Sequence, residues 1–323
     1  MPHAIRIHQT GGPEVLSWDE VAVGDPGPGE IRIRHMAVGL NYIDTYHRSG
    51  LYKLALPAVI GQEGAGVVDA VGRGVLGFAV GDRVAYGTSL GAYAEVRLMP
   101  AEKAIKLTDA IDDRTAAAMM LQGMTVEYLI RRTHKVEAGE TVLLHAAAGG
   151  IGLIASQWLS HLGATVIGTV GSDDKAALAR AHGCHHVINY RSQDFVAEVK
   201  RITDGKGVPV VYDGVGKDTF MGSLDCLRPR GLMVSFGNAS GAVPPIDVLT
   251  LSAKGSLYLT RPTLGTYTAT RADLEESANS LMQVVASGAV KIEVPQTYPL
   301  KDAAQAHSDL EARKTTGSTV LLV

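Results

Sequence analysis

The sequence predicts an α/β protein in which a doubly wound parallel sheet follows a β-rich domain. Up to residue 110, short apolar runs are separated by glycine- and proline-rich turns, as in PGPGE at 26–30. From Thr141 onward, strand-like runs alternate with amphipathic helix-like runs, the pattern of right-handed βαβ units. A glycine run at 146–152 lies between the first of these strands and its helix.

The composition fits a globular chain of about two domains, because 46% of its 323 residues are hydrophobic and 20% are charged. No apolar run reaches the ~18 residues of a membrane helix, and the start MPHAIRIHQTGG lacks the order of a secretory signal. The net charge of −3 gives no overall positive potential of the kind that attracts nucleic acid. We therefore expect neither a membrane nor a nucleic acid as a partner.

Cysteine usage points to a reducing compartment. Only Cys184 and Cys226 are present, and no Cys-x-x-Cys pair occurs, so neither a disulfide framework nor a cysteine-rich zinc lobe is expected. We therefore expect the protein in the cytoplasm.

The first domain is predicted to span residues 1–122 and to consist mainly of strands. The pairs Gly72/Gly74 and Gly81/Asp82 are turn signals between apolar runs. The strand candidates are 4–9, 31–38, 64–71, 82–86 and 92–98.

The second domain is predicted to span residues 123–262. A helix that begins near residue 115 leads into it, with Val126, Leu129 and Ile130 on one face. The alternating elements then follow, with strand candidates at 141–147, 164–170, 185–190, 208–216, 231–237 and 255–260, and helix candidates at 151–163, 173–183, 192–203 and 218–227.

The tail, residues 263–323, is too small to be a domain of its own. Helices are predicted at 271–286 and 301–313, and the run GSTVLLV at 317–323 reads as a strand. We expect this tail to return to the first domain.

The glycine run AAAGGIG at 146–152 is the strongest local signal. Glycines in such a turn let the backbone approach a pyrophosphate, and the following helix offers free N–H groups and a positive dipole end. Ala147 takes the place of the first glycine, and Gly149 and Gly152 take the other two. The alternative is a tight strand–helix turn that binds nothing.

The end of the second strand favours NADPH over NADH. NAD sites usually carry an acid there to bind the ribose 2′-hydroxyl, whereas Val170 is followed by Gly171, Ser172 and then Lys175. A hydroxyl and an ammonium suit a 2′-phosphate. Asp173 and Asp174 leave NADH possible as the cofactor. Alternatively, they start the next helix, where its dipole would stabilise them.

Longer motifs extend the argument over the whole chain. They are GLNYIDTYHRSG (39–50), GQEGAGVV (61–68), GDRVAY (81–86), HAAAGGIG (145–152), VINYR (187–191), VYDGVG (211–216), GLMVSFGNASG (231–241) and LTRP (259–262). With these motifs in this order, the chain resembles the medium-chain dehydrogenase/reductase superfamily. It is most similar to the superfamily's zinc-free, zeta-crystallin-like branch of NADPH:quinone oxidoreductases.

The resemblance implies a GroES-like β-rich catalytic domain completed by the tail, a Rossmann domain that binds NADPH, and an active site in the cleft between them. It also implies a homodimer or tetramer. The run GSLYLT at 255–260 would pair with the same strand of a second subunit, because an apolar edge strand left open invites aggregation.

The resemblance further implies a set of cofactor and substrate contacts. Asn41, Tyr46 and Tyr52 would line the substrate pocket, and the hydroxyl of a tyrosine could assist Asn41; the alternative for the tyrosines is surface-loop packing. Arg313 would close on the 2′-phosphate with its forked guanidinium. The cofactor contacts would be Asn41, Thr125, Gly149, Gly150, Ile151, Gly152, Gly171, Ser172, Lys175, Tyr190, Val215, Phe236, Gly237, Asn238, Ser240 and Arg313.

No metal is expected. In zinc-bearing relatives a cysteine takes the place of Asn41 and a histidine that of Gln62, and amides are poor zinc ligands. Adjacent residues of the run GCHH at 183–186 would point to opposite faces of a strand, so they could not meet on one ion. What Gln62 does instead stays open.

Without a Lewis acid, hydride transfer to an electron-poor acceptor is favoured over simple alcohol oxidation. We expect NADPH-dependent reduction of a quinone, with Asn41 as a hydrogen-bond donor to the developing oxyanion. A reductase of enone or alkenal double bonds is the alternative from the same branch. A non-catalytic NADPH-binding protein is a third possibility that ranks below both.

Overall fold

The computed structural model describes residues 1–323, which form two compact units. The first unit comprises Met1–Met124, Thr268–Ala286 and Ile292–Val323. The second unit comprises Thr125–Tyr267 and Ser287–Lys291. No helix is long and apolar enough to cross a membrane.

Sixteen strands follow one another along the chain. They are β1 His3–Ile7, β2 Leu16–Glu20, β3 Glu30–Leu40, β4 Ala58–Val59, β5 Glu63–Val71, β6 Arg83–Tyr86, β7 Val96–Pro100, β8 Ile105–Lys106, β9 Thr141–Leu144, β10 Thr165–Val170, β11 His186–Asn189, β12 Val208–Asp213, β13 Leu227–Ser235, β14 Tyr258–Thr260, β15 Gln296–Pro299 and β16 Thr319–Leu322.

Ten α-helices are interspersed with these strands, together with three short 3₁₀ turns. The helices are α1 Tyr42–Ser49, α2 Asp113–Tyr128, α3 Gly150–His161, α4 Asp173–Ala181, α5 Phe195–Ile202, α6 Phe220–Asp225, α7 Leu249–Ala253, α8 Leu264–Tyr267, α9 Arg271–Ala286 and α10 Ala303–Glu311. Helix α2 continues into a π-helical segment, Leu129–Thr133.

The first unit is built on two β-sheets. The smaller has the order β2-β1-β4, and the larger has the order β15-β16-β3-β5-β6-β8, with β7 paired to β3. Buried and more exposed residues alternate along β3, so that Ile31 and Ile33 reach a core shared with Ile5 and Val68. The C-terminal strand β16 runs antiparallel to β3, and its Leu321 packs in the same core.

The second unit is the predicted doubly wound α/β fold. Its six strands are parallel in the order β11-β10-β9-β12-β13-β14. Chain order reverses between β9 and β12, and in such sheets ligands bind outside the carboxyl ends of the strands at that point. The glycine run follows β9 directly, so it lies at the reversal.

Several element boundaries differ from the sequence expectation. The predicted strand 92–98 begins only at Val96, because Ala92 and Tyr93 donate their N–H groups to carbonyls of Gly61 and Ile60 instead of joining a regular ladder. The predicted strand 255–260 is reduced to β14, because Gly255 and Ser256 have positive φ angles of 112° and 56°. The predicted helix 301–313 is split into a 3₁₀ turn, Leu300–Asp302, and α10.

Candidate functional site

The glycine turn of the second unit is shaped for close approach of a ligand. Ala146 has a positive φ of 56°, and Gly149 donates its N–H to the Ala146 carbonyl at 3.0 Å. A Cβ on residue 152 would overlap the Ala146 carbonyl, so a glycine is required where helix and strand pack. Helix α3 begins at Gly150 with no side-chain cap, which leaves its first-turn N–H groups without intrahelical partners. The turn therefore fits the pyrophosphate of a dinucleotide.

A buried polar network lies beneath this turn. His145 is hydrogen-bonded through Nδ1 to the Thr169 hydroxyl (2.8 Å) and through Nε2 to the Ser223 hydroxyl (2.9 Å). Ser223 donates its own proton to Asp213 (2.8 Å), so it accepts from His145, and Nε2 carries the imidazole proton. Burial lowers the pKa of His145, which favours this neutral form.

The same network fixes the loop after β12. Asp213 accepts backbone N–H groups of Val215 and Gly216 on Oδ1, at 2.8 and 3.0 Å. Its Oδ2 accepts the hydroxyls of Thr219 and Ser223. Sequence reasoning did not single out His145 or Asp213, although both lie inside the motifs HAAAGGIG and VYDGVG.

Four residues predicted for the adenosine end lie around the carboxyl ends of β10 and β11. Ser172 caps α4 by accepting the N–H of Lys175 at 3.4 Å. A Cβ on residue 171 would lie 2.6 Å from the Tyr190 hydroxyl, so Gly171 brings the backbone close to that ring. The structure therefore brings Gly171, Ser172, Lys175 and Tyr190 into one region of the second unit.

The two acids of this region belong to the start of α4. Asp173 and Asp174 occupy its first turn, where a helix dipole stabilises negative charge. Asp173 also accepts a hydrogen bond from the side-chain amide of Asn189 at 2.9 Å. Of the two readings left open by the sequence, the geometry favours helix-start acids.

The residues predicted for the return side follow β12 and β13. Ser240 is tied to the Val215 carbonyl twice, through its N–H (2.8 Å) and its hydroxyl (2.9 Å). Phe236 donates its N–H to the Asp213 carbonyl at 2.8 Å, and a Cβ on residue 237 would overlap the Gly214 carbonyl. The five predicted residues of this group, Val215, Phe236, Gly237, Asn238 and Ser240, therefore lie in two loops that are bonded to each other.

In the first unit, Asn41 lies in a buried polar cluster. Its Nδ2 donates to Glu63 at 2.8 Å, and its Oδ1 accepts from Gln122 at 3.1 Å. The other oxygen of Glu63 accepts the backbone N–H of Leu121 at 2.8 Å. A Cβ on residue 39 would overlap the Glu63 carboxyl, so Gly39 on the neighbouring strand makes room for it.

Burial raises the pKa of the acid in this cluster. Glu63 is fully buried, and desolvation raises its pKa to about 8 in spite of its hydrogen bonds from Asn41 and Leu121. Within the motif GQEGAGVV a role was considered only for Gln62, and none was predicted for Glu63. The available signal was an acid placed directly before a run of small and apolar residues, 64–68.

A second buried acid lies beside this cluster. Asp44 in α1 accepts the Asn41 backbone N–H (2.8 Å) and the Tyr93 hydroxyl (3.0 Å) through one oxygen, and its other oxygen is buried without a partner. Burial raises its pKa to about 7. Tyr93 also contacts His307, whose pKa burial lowers to about 3.

The two predicted pocket tyrosines contact each other. Tyr46 of α1 and Tyr52 meet edge to face, with ring centroids 5.3 Å apart, and the Tyr52 N–H donates to the Tyr46 carbonyl. His47, which the sequence analysis did not consider, lies 5.9 Å from the Tyr52 ring, and burial lowers its pKa. The last two predicted residues lie at other places along the chain. Thr125 is buried in α2, and Arg313 is exposed just after α10.

The positions that hold zinc in zinc-bearing relatives do not fit the metal here. The Asn41 amide uses its nitrogen on Glu63 and its oxygen on Gln122, and Gln62 is a half-buried amide ahead of β5. Zinc prefers thiolate, imidazole or carboxylate ligands. No group of three or more His, Cys, Asp and Glu side chains is arranged to hold a metal ion.

The run GCHH at 183–186 has structural partners. Cys184 is buried against the Ser156 hydroxyl at 3.1 Å. His185 accepts the Val166 N–H through Nδ1 at 3.1 Å. His186 starts the exposed end of β11, so these side chains serve the helix–strand junction.

A doubly wound parallel sheet with a glycine turn at its reversal, in a chain that also has a mainly antiparallel β-rich unit, defines a dehydrogenase/reductase class of protein. Two family models match the chain: the alcohol dehydrogenase GroES-like domain over residues 27–109 and the zinc-binding dehydrogenase model over residues 150–283. Together they cover about two thirds of the chain.

Individual relatives narrow the class. A quinone oxidoreductase of Pseudomonas aeruginosa is 53% identical, and a 2-haloacrylate reductase of a Burkholderia species is 50% identical; each comparison covers the whole chain and at least 99% of the relative. A crystal structure of Escherichia coli quinone oxidoreductase complexed with NADPH is 51% identical, with a TM-score of 0.98 over 99% of this chain and 100% of that chain. The chain therefore belongs to the medium-chain dehydrogenase/reductase superfamily and, within it, to the quinone oxidoreductase branch.

Proposed function

We propose that this protein is an NADPH-dependent quinone reductase that works without zinc. The observation that carries the proposal is its full-length likeness to the Escherichia coli quinone oxidoreductase complexed with NADPH, at 51% identity and a TM-score of 0.98. We further propose that residues 1–122 and 263–323 form the catalytic domain and residues 123–262 the NADPH-binding domain.

The proposed cofactor contacts use backbone groups and a few cations. The first turn of α3 binds the pyrophosphate through Gly149, Gly150, Ile151 and Gly152, and when bound NADPH supplies the hydride. Lys175 and Arg313 neutralise the 2′-phosphate, with Ser172 as a hydroxyl donor. The remaining contacts are Asn41, Thr125, Gly171, Tyr190, Val215, Phe236, Gly237, Asn238 and Ser240.

The proposed acceptor contacts come from the first unit. Asn41 directs an amide N–H at a quinone oxygen and stabilises the negative charge that develops there. Tyr46 and Tyr52 flank the quinone, and a hydroxyl of this pair adds a second donor. These residues orient an acceptor that is already electron-poor.

The absence of a zinc requirement follows from the donor set. An amide whose nitrogen donates to Glu63 and whose oxygen accepts from Gln122 replaces the cysteine of zinc-bearing relatives, so no step is assigned to a metal. The purified protein should contain no stoichiometric zinc, and removal of divalent metals should leave its turnover unchanged.

A panel of acceptors with NADPH consumption as the readout tests the proposal. We expect turnover of 1,4-benzoquinone with NADPH and a much weaker binding of NADH in fluorescence titrations. No NADPH oxidation with any electron-poor acceptor would favour a non-catalytic NADPH-binding protein instead. NADH binding as tight as that of NADPH would overturn the cofactor assignment.

One relative favours a second candidate function. The 50% identical 2-haloacrylate reductase carries a name that describes reduction of an activated carbon–carbon double bond. We propose NADPH-dependent reduction of an enone or alkenal as the alternative. If kcat/KM for 1-octen-3-one or crotonaldehyde exceeds that for 1,4-benzoquinone, the double-bond reductase is the correct assignment.

We propose a cytoplasmic homodimer that forms through the edge strand of the parallel sheet. Strand β14 ends the sheet on one side, and Tyr258 and Leu259 are 63% and 39% exposed there. An open apolar edge of this kind pairs readily with another strand. Sedimentation should find twice the 34.0 kDa chain mass, and the double variant Tyr258→Lys/Leu259→Lys should sediment as a monomer. A monomeric wild-type protein would refute the dimer.

A further inference from the structure

The Asn41 amide is part of a buried row of hydrogen-bonded side chains, Glu63, Asn41, Gln122 and Ser318, which we call the amide row. Asn41 donates to Glu63 at 2.8 Å and accepts from Gln122 at 3.1 Å, and the Gln122 oxygen lies 2.8 Å from the Ser318 hydroxyl. All four residues are at most 7% exposed. Each amide turns its donor to one neighbour and its acceptor to the other, so the row has a direction.

The same side-chain positions also allow every hydrogen bond of the amide row to run in the opposite direction. The Ser318 hydroxyl also lies 3.0 Å from the Ala118 carbonyl, and its single proton can serve only one of the two acceptors. If both amides rotate by 180°, Gln122 donates to the Ser318 oxygen and Ser318 donates to Ala118. Such a rotation exchanges nitrogen and oxygen without a change of shape, so hydrogen-bond partners decide which direction holds.

Glu63 is the hydrogen-bond partner that decides the direction of the amide row. One of its oxygens accepts the Leu121 N–H at 2.8 Å and must remain an acceptor. The other oxygen faces Asn41. As a carboxylate oxygen it accepts, so the Asn41 nitrogen must turn toward it; if it carried a proton, it would require the Asn41 oxygen instead.

We propose that Glu63 is a positioning residue that sets which atom of the Asn41 amide meets the acceptor. The inference rests on the proposed function, in which Asn41 donates to the acceptor oxygen. When Glu63 accepts, the Asn41 nitrogen uses one N–H on Glu63 and keeps its second N–H for the substrate. In the opposite direction an oxygen occupies that place and repels a carbonyl oxygen.

The charged and titratable groups around Glu63 modulate this arrangement. Burial, with a smaller contribution from the nearby Asp44, raises the pKa of Glu63 to about 8. The carboxyl therefore changes between its two forms as the pH passes through about 8. The other titratable groups that face it are Tyr93, which contacts Asp44, and Tyr86, which is hydrogen-bonded to His35 and Arg97.

Glu63→Gln tests the proposal because it keeps the shape of the row and reverses its direction. The Leu121 N–H requires the oxygen of the new side chain, so the new NH₂ group turns toward Asn41. Every hydrogen bond of the row can still form, and we expect a melting temperature and an NADPH Kd close to the wild-type values. At a pH above the pKa of Glu63, where the wild-type carboxyl is ionised, we expect kcat/KM for 1,4-benzoquinone to fall roughly 10- to 100-fold, because one donor to the acceptor is replaced by a repulsive oxygen.

The matched control is Glu95→Gln in the same unit. Glu95 also accepts a backbone N–H, that of His3 at 2.7 Å, but makes no contact with the amide row. We expect its kcat/KM to equal that of the wild type. Wild-type kcat/KM should also rise with pH around the pKa of Glu63, and this rise should be missing in Glu63→Gln.

A spectroscopic readout separates this inference from the proposed function. The side-chain ¹⁵N–¹H signals of Asn41 should shift with pH in the wild type as Glu63 ionises, and Glu63→Gln should hold them at the low-pH position. If the wild type reduces no quinone, the proposed function fails while the signals still report the direction of the row. Unshifted Asn41 signals across the titration, or a Glu63→Gln enzyme with wild-type kcat/KM and pH profile, would overturn the inference.

Discussion

At the scale of single residues, buried carboxyl groups dominate the polar interior of the first unit. Glu63 and Asp44 are fully buried, and desolvation raises the pKa of each, to about 8 and about 7. Their hydrogen bonds come from N–H and O–H donors, with no cation bonded to either. A buried acid without a cation is costly when it is ionised, so both groups link stability to pH.

Stability should therefore decline as pH rises. The pKa of Glu63 is raised from its ordinary 4.5, so the folded state holds more protons than the unfolded state between pH 4.5 and about 8. The free energy of unfolding then decreases with pH across this window. Urea unfolding at pH 5.5 and pH 8 should show the decrease, and Glu63→Gln should reduce it. An equal decrease in wild type and variant would exclude Glu63 as its source.

The tyrosine pair gives a second prediction at this scale. Tyr52→Phe removes a hydroxyl but keeps the ring that packs on Tyr46 at 5.3 Å. We expect kcat/KM for benzoquinone to fall about 10-fold, as for one lost hydrogen bond of about 1.4 kcal/mol. Tyr298→Phe, which loses only a hydrogen bond to Asp309 at 3.1 Å, serves as the control. Unchanged quinone turnover in Tyr52→Phe would remove its hydroxyl from the mechanism.

At the scale of elements, the strand–turn–helix at β9 and α3 is the part most constrained by its sequence. Gly152 lets the helix pack against the Ala146 carbonyl, and His145 connects the end of β9 to Thr169 and Ser223. The turn is thus held by its own backbone and by a network beneath it. Its rigidity pre-organises the N–H groups that are proposed to bind pyrophosphate.

Gly152→Ala should disturb this turn. The new methyl group would overlap backbone atoms of Ala146 and Ala147, so we expect a lower melting temperature and a Kd for NADPH that is at least about 10-fold weaker. Fluorescence titration and thermal unfolding measure both effects. Gly265→Ala is the matched control, since a Cβ there meets open space. NADPH binding unaffected by Gly152→Ala would contradict the proposed phosphate site.

The start of α4 gives a prediction on cofactor choice. Lys175→Met keeps the length of the side chain but removes the charge proposed to meet the 2′-phosphate. We expect KM for NADPH to rise about 10-fold with little change for NADH, because a charge-assisted phosphate contact contributes about 1.5 kcal/mol. Steady-state kinetics with both cofactors measures the ratio. Equal effects on NADPH and NADH would place Lys175 away from the phosphate.

Regular elements were predictable because periodicity is a local property. The alternation from Thr141 onward predicted the parallel sheet, and helix α9 has the predicted bounds 271–286. Helix α1 was missed because its start signal, Asn41 followed by Asp44 at the third helical position, was read only as part of a motif. Strand β15 was missed because QTYP carries no alternating pattern of its own.

The polar networks could not be predicted in the same way. Glu63 bonds to the backbone of a residue 58 positions away, and Gln122 bonds to Ser318 across 196 positions. Such partners are brought together only by the sheet and the returning tail. The roles of Glu63, His145 and Asp213 therefore emerged from the fold, while the family motifs indicated only where to look.

At the scale of the whole molecule, the chain combines a dinucleotide-type unit with a β-rich unit that holds buried amides and acids. Its branch is that of the quinone oxidoreductases, and its Asn41 cluster engages both the nitrogen and the oxygen of an amide that, by the resemblance, takes the place of a zinc ligand. These two facts together favour hydride transfer in which hydrogen bonds, rather than a metal, stabilise the acceptor.

The most direct test of this account is NADPH-driven reduction of 1,4-benzoquinone by protein from which divalent metals have been removed by a chelator. The account predicts full turnover in the chelated protein, with no stoichiometric zinc before or after treatment. Loss of turnover on chelation that zinc restores, or no turnover with either preparation, would contradict it.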